Sequence, residues 1–135
     1  MNRKMKIYTS YFGKAKKMKM ANIEAICISR YPPKFFFGQS LSMLAPTGAM
    51  LRMTDEQYNA EFDRILARLD PQQVYDKIKT LSGGRDVALC CFEKAGDFCH
   101  RHIVAEWLNR HLDLGIEEFD YVAGKKSEAT QGNLF

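Results

Sequence analysis

Cysteine, histidine and arginine stand side by side at Cys99, His100 and Arg101, just after an apolar run that ends in Cys90, Cys91, Phe92 and Glu93. Gly96 marks a turn between the two, and Asp97 is placed to cap a helix whose first turn would then hold Cys99, His100 and Arg101. Backbone N–H groups at such a helix start attract anions and favour a thiolate, and His100 or Arg101 adds positive charge. Three chemistries fit these residue types. Cys99 can be a reactive thiolate. Arg101 and Arg30 can grip a phosphate or carboxylate through their fixed guanidinium forks. Cys99 can also be a small buried apolar residue beside structural polar groups. Glu93 is the carboxylate available to pair with an arginine or to orient His100. Tyr8 and Tyr11, at the end of the first strand, are expected in the same crevice. A zinc site is a fourth candidate, since Cys90, Cys91, Glu93, Cys99, His100 and His102 lie close in sequence, but they form neither two CxxC pairs nor HExxH, so no metal and no cofactor is assigned. Adjacent Cys90 and Cys91 would point to opposite faces of a strand.

These residues need a scaffold, and the hydrophobic pattern describes one. Residues 6–11 alternate and 24–29 form a short apolar run, both read as strands. The basic stretch between them, 13–22, reads as a loop with at most a helical turn. Residues 31–48 carry Pro32, Pro33, Pro46, Gly38 and Gly48 at irregular positions, which predicts a long ordered loop anchored by Phe35, Phe36 and Phe37. Thr54 with Gln57 makes a capping box ahead of Tyr58, Phe62, Ile65, Leu66 and Leu69 at helical spacing. Asp70 and Pro71 open a second helix that ends before Gly83 and Gly84. Residues 86–92 form a continuous apolar run, the mark of a mid-sheet strand; 98–112 read as a helix and 116–122 as a last strand. The order predicts one α/β domain over residues 1–123, three-layered and Rossmann-like, with a mostly parallel sheet of about four to five strands. In such sheets ligands bind beyond the carboxyl ends of the strands, where the loops after Ser29 and Phe92 open.

Composition excludes several classes. A chain of 135 residues that is 46% hydrophobic can build a core without staples, so Cys27, Cys90, Cys91 and Cys99 are expected as reduced thiols. No signal-peptide pattern and no membrane-length apolar stretch occurs, which predicts a cytoplasmic protein without a membrane partner. The net charge of +4 is concentrated in Arg3, Lys4, Lys6, Lys14, Lys16, Lys17 and Lys19, which can draw nucleic acid or phosphate or can form a solvated rim.

The chain resembles the "domain of unknown function 488" family. The motifs that carry the likeness are Leu89-Cys90-Cys91-Phe92-Glu93, Cys99-His100-Arg101, Ile28-Ser29-Arg30 with Pro32 and Pro33, and Leu44-Ala45-Pro46. They agree in order across roughly residues 6–122. The resemblance implies the α/β fold and the same Cys-His-Arg site but no reaction. Ser29 stands where the family commonly has an aspartate before its arginine.

Residues 124–135 read as a flexible polar tail that ends in Gln131, Gly132, Asn133, Leu134 and Phe135. Glutamine followed after two variable residues by leucine and phenylalanine resembles the peptide by which bacterial replication and repair proteins engage the sliding clamp. The expectation is an anion-binding accessory of nucleic-acid transactions recruited through Gln131, Leu134 and Phe135. The competing expectation is a small thiol or acid/base enzyme acting on a phosphorylated or carboxylated metabolite.

Overall fold

A computed structural model describes residues 4–36, 38–92 and 99–120. Its strands are β1 (Ile7–Tyr11), β2 (Glu24–Cys27), β3 (Gln39–Ser40), β4 (Val87–Cys91) and β5 (Glu117–Glu118). Its α-helices are α1 (Ala15–Met20), α2 (Asp55–Ala67), α3 (Pro71–Ser82) and α4 (His100–Leu112). The sheet runs β3-β2-β4-β1-β5 and every pairing is parallel, so all strands end at one edge. This is the α/β, Rossmann-like arrangement that the sequence predicts.

The apolar run at 86–92 becomes the central strand because it has a partner on each side and is buried at all five positions. Val87 and Leu89 join a core with Val104, Trp107 and Leu108 of α4, Phe62 and Leu66 of α2, and Val74 and Ile78 of α3. Ala88 and Cys90, one residue out of phase, join a smaller core with Phe12, Met18 and Ile23 on the other face. The sheet is therefore covered thickly on one side and thinly on the other, in three layers.

Local chemistry fixes the helices. Thr54 Oγ1 accepts from Gln57 N at 3.1 Å while Gln57 Oε1 accepts from Thr54 N at 3.1 Å, the expected reciprocal cap. Asp70 Oδ1 accepts from Gln72 N at 2.9 Å ahead of α3, and Gly83 closes that helix at φ +67°, a left-handed conformation suited to glycine. At the end of α4, the Asn109 side chain grips both backbone groups of Ile116, at 2.8 and 3.2 Å. This clamp aims the chain back along β1.

Four sequence expectations need correction. The basic stretch 13–22 is a 3-10 turn followed by helix α1, since Met18 finds a buried seat that holds the turn in place. The second strand stops at Cys27 and the last one covers two residues, ending in a turn at Phe119 and Asp120. Helix α4 begins at His100 with Cys99 as its extended N-cap, two residues later than an Asp97 cap would place it; Asp97 lies outside the described residues. The phenylalanines divide: Phe36 packs against Phe12, Phe35 is exposed, and Phe37 lies outside the described residues.

Candidate functional site

β4 delivers Cys91 to the carboxyl edge of the sheet on the α4 side, and the first residues of α4 meet it there. Cys91 and Cys99 are joined by a disulfide, which corrects the expectation of four reduced thiols. Spacing alone hid this pairing, because a strand end and a helix start brought together by a parallel sheet place residues eight apart side by side. Cys27 and Cys90 remain free and buried. Burial pushes the Cys90 thiol up to about 12, against the pull of the Arg101 charge.

His100 is buried. Nε2 lies 2.6 Å from Ile28 O and, since a carbonyl only accepts, must donate to it. In the neutral ring Nδ1 then carries the lone pair, and it stands 3.7 Å from Cys99 Sγ, which in the disulfide has no proton to donate. The ring of Phe62 stands edge-on to the imidazole at 5.5 Å. Sγ of Cys91, Sγ of Cys99 and a ring nitrogen of His100 all lie within 4.8 Å of one another.

Arg101 is completely buried. Its Nε and Nη2 donate to the two carboxylate oxygens of Glu118 at 3.1 and 3.0 Å, and Nη1 donates to Cys91 Sγ at 3.0 Å. Thr9 Oγ1 adds a 2.6 Å hydrogen bond to Glu118, and the guanidinium lies over the Tyr11 ring at 5.9 Å. Glu118 is the residue that sequence reasoning missed. The available signal was an acid two residues after buried Ile116, on the inward side of an alternating strand.

Arg30 occupies different ground. It follows β2 at the same edge, is exposed, and donates from Nη2 to the Tyr31 hydroxyl at 3.1 Å. Gly48 gives it room, because a Cβ there would sit 3.0 Å from Nη1. Among the described residues no carboxylate pairs with Arg30. A pocket of about 380 Å³ opens beside it, with Tyr31, Tyr58 and Phe92 as aromatic walls and Ser29 and His100 among its polar lining. A smaller pocket of about 230 Å³ shares Tyr58 and His100 and reaches Cys99 and Asp55.

The structure thus brings His100 and Arg30 to one pocket and Cys99 to its neighbour, with Arg101 packed behind them on Glu118. Arg30 and Arg101 do not line a common pocket among the described residues. Tyr8 sits on the opposite face of the sheet from Tyr11 and packs edge-on against Phe119 at 5.5 Å. Glu93, Gln131, Leu134 and Phe135 lie outside the described residues. On the helix side, His102 is shifted down by burial and by repulsion from Arg101.

Fold and site together define a parallel α/β domain with an aromatic, singly cationic crevice above a buried Cys-His-Arg cluster. The sequence matches the family model DUF488-N3a, described as the active DUF488-N3 subclade, over residues 9–112, more than half of the chain, and the chain belongs to the DUF488 family. No curated protein and no solved structure matches it. No described helix is long and apolar enough to cross a membrane.

Proposed function

We propose that the larger crevice binds a ligand that joins a flat ring to an anionic group, and that this ligand is a nucleotide unit of nucleic acid. The observation that carries the reading is the pairing of Arg30, free of any carboxylate among the described residues, with the rings of Tyr31 and Phe92 on the wall of one pocket. Tyr31 is 68% exposed and Phe92 53% exposed, so each offers a face on which a base can stack. Arg30 supplies the fork for phosphate. Phe92 packs on Phe12 at 5.1 Å, and from Phe12 the chain enters lysine-rich α1, so a strand leaving the pocket would meet further positive charge. In this reading Arg101 positions the floor through Glu118 and Cys91, and Gln131, Leu134 and Phe135 recruit the protein to a sliding clamp.

Fluorescence anisotropy with a short single-stranded oligonucleotide tests the first part. Binding should weaken steeply with salt, and Arg30→Ala should cost about tenfold in affinity and lower the salt slope by about one. Equal binding by wild type and Arg30→Ala overturns the assignment. Binding of a mononucleotide with no added affinity for the oligonucleotide replaces nucleic acid with a small metabolite. Removal of residues 131–135 should abolish capture by a bacterial clamp; unchanged capture, or none by the full chain, discards the recruitment step.

The contact between Cys99 Sγ and His100 Nδ1 supports a second reading, a thiol or acid/base enzyme acting on a phosphorylated or carboxylated metabolite, with Glu93 as a further carboxylate. It requires the bond to Cys91 to be reduced first. Turnover of such a metabolite, lost in Cys99→Ser and independent of nucleic acid, would select it.

A further inference from the structure

We infer that Cys91, Cys99 and His100, once the disulfide is reduced, form a binding site for a thiophilic divalent cation, zinc above all. This site is independent of what fills the larger crevice. The three donors come from two elements, are all buried, and lie within 4.8 Å of one another, so a single ion can touch all three. Ligands bound tetrahedrally at zinc–sulfur and zinc–nitrogen distances stand about 3.6 Å apart. Cys99 Sγ and His100 Nδ1 stand 3.7 Å apart already. The Cα atoms of Cys91 and Cys99 are 7.6 Å apart, ample for two reduced cysteines with an ion between them.

The surroundings are those of a metal ligand set. Ile28 O holds the Nε2 proton of His100, which leaves Nδ1 as the lone-pair nitrogen and fixes the ring, the usual arrangement behind a ligating histidine. Arg101 Nη1 donates to Cys91 Sγ at 3.0 Å, so a positive charge stands against one of the two sulfurs. The charge of Arg101 is already balanced by Glu118, so two thiolates and a divalent ion would close the account at neutrality. Cys90 takes no part, being on the other face of β4. Three protein ligands leave a fourth position, and it adjoins the smaller pocket that Cys99 and His100 both line, with Asp55 on its wall. A site with one open position is the kind that polarises a bound water or substrate.

Loading proceeds in two balanced steps. A phosphine reductant and one water convert the Cys91–Cys99 bond to two thiols and the phosphine oxide. The divalent ion then binds the two sulfurs and Nδ1 and releases the two thiol protons.

The test uses the full chain, reduced with a phosphine without oxygen and titrated with Co²⁺ alone. Expected are the sulfur-to-cobalt charge-transfer band and visible bands of tetrahedral cobalt, saturating at about one ion per chain and bleached by Zn²⁺. Cys91→Ser, Cys99→Ser and His100→Gln should each weaken binding by more than about tenfold, and Cys27→Ser should not. Because the three ligands are buried, a second measurement uses the unmutated protein: Zn²⁺ should slow alkylation of Cys91 and Cys99 and leave that of Cys27 unchanged. Absence of the tetrahedral bands in reduced folded protein, equal alkylation with and without Zn²⁺, or equal binding by the oxidised protein overturns the site.

Discussion

The guanidinium of Arg101 and the carboxylate of Glu118 meet through two parallel hydrogen bonds at 3.1 and 3.0 Å, tying α4 to β5 below the crevice. The arginine is wholly buried and the glutamate side chain nearly so. Removing one partner would strand a charge in a dry interior, which costs about 3–5 kcal/mol, whereas replacing both with apolar residues can be close to neutral. Glu118→Gln should therefore lower unfolding stability in urea by that amount, and Arg101→Met combined with Glu118→Leu should recover much of it. A Glu118→Gln loss below about 1 kcal/mol would show that the pair does not hold the site together.

Gly48 offers a way to disturb Arg30 without touching it. A Cβ there would press on Nη1 at 3.0 Å, but that atom ends a flexible side chain. Gly48→Ala should leave stability within about 0.5 kcal/mol of wild type and weaken oligonucleotide binding. Unchanged affinity would mean that Arg30 does not bind in the position seen here.

The helix ends give a calibration of the scaffold. Thr54→Ala removes the hydroxyl that accepts from Gln57 N and should cost about 1 kcal/mol. Gly83→Ala meets no neighbouring atom within 4 Å, so its cost, about 1 kcal/mol, should come from the left-handed backbone alone. In both cases the urea midpoint should fall with the slope unchanged.

Hydrogen bonds from Lys14 and Lys17, at 2.8 and 3.0 Å, hold the Asp120 carboxyl below its ordinary value. A carboxylate held low stabilises the fold above the pKa it has when unfolded, about 3.9, and that contribution is lost as pH falls through the folded value. The stability difference between wild type and Asp120→Asn should accordingly be constant from pH 7 to about 5 and shrink below about pH 4. The group is half-exposed, so added salt should reduce the difference as well. A difference insensitive to pH would assign the effect to the turn rather than the charge.

The Cys90 thiol, raised to about 12 by its burial, should stay protonated and inert at neutral pH. Mass spectrometry after alkylation should find it modified far more slowly in folded protein than in urea. Equal rates would mean that the thin face of the sheet opens readily.

What could be read from the sequence follows the range of the forces involved. The caps at Thr54 and Asp70 act over three residues or fewer, and the helices they start lie where the pattern predicts. The apolar run that follows Asp86 reads as central, and β4 is. Helix α1 escaped because lysines at half of its positions break any apolar stripe, and one buried Met18 supplies its hold. In the site, Arg30 and His100 were legible as residue types with a known edge to occupy. The partners were not: Glu118 is 17 residues from Arg101, and only the Asn109 clamp and the β1–β5 pairing bring them together. Tyr8 was misplaced by a single step of alternation, which moves a side chain through the sheet.

The two strands at the margins of the sheet, β3 and β5, each hold only two residues. A row of unpaired backbone groups long enough to template another chain is thus lacking at both margins among the described residues, and strand-by-strand aggregation is discouraged. A protein that docks on the sheet domain itself would read side chains on the helical faces or at the carboxyl edge, so its binding should respond to single surface substitutions as backbone-driven strand addition would not.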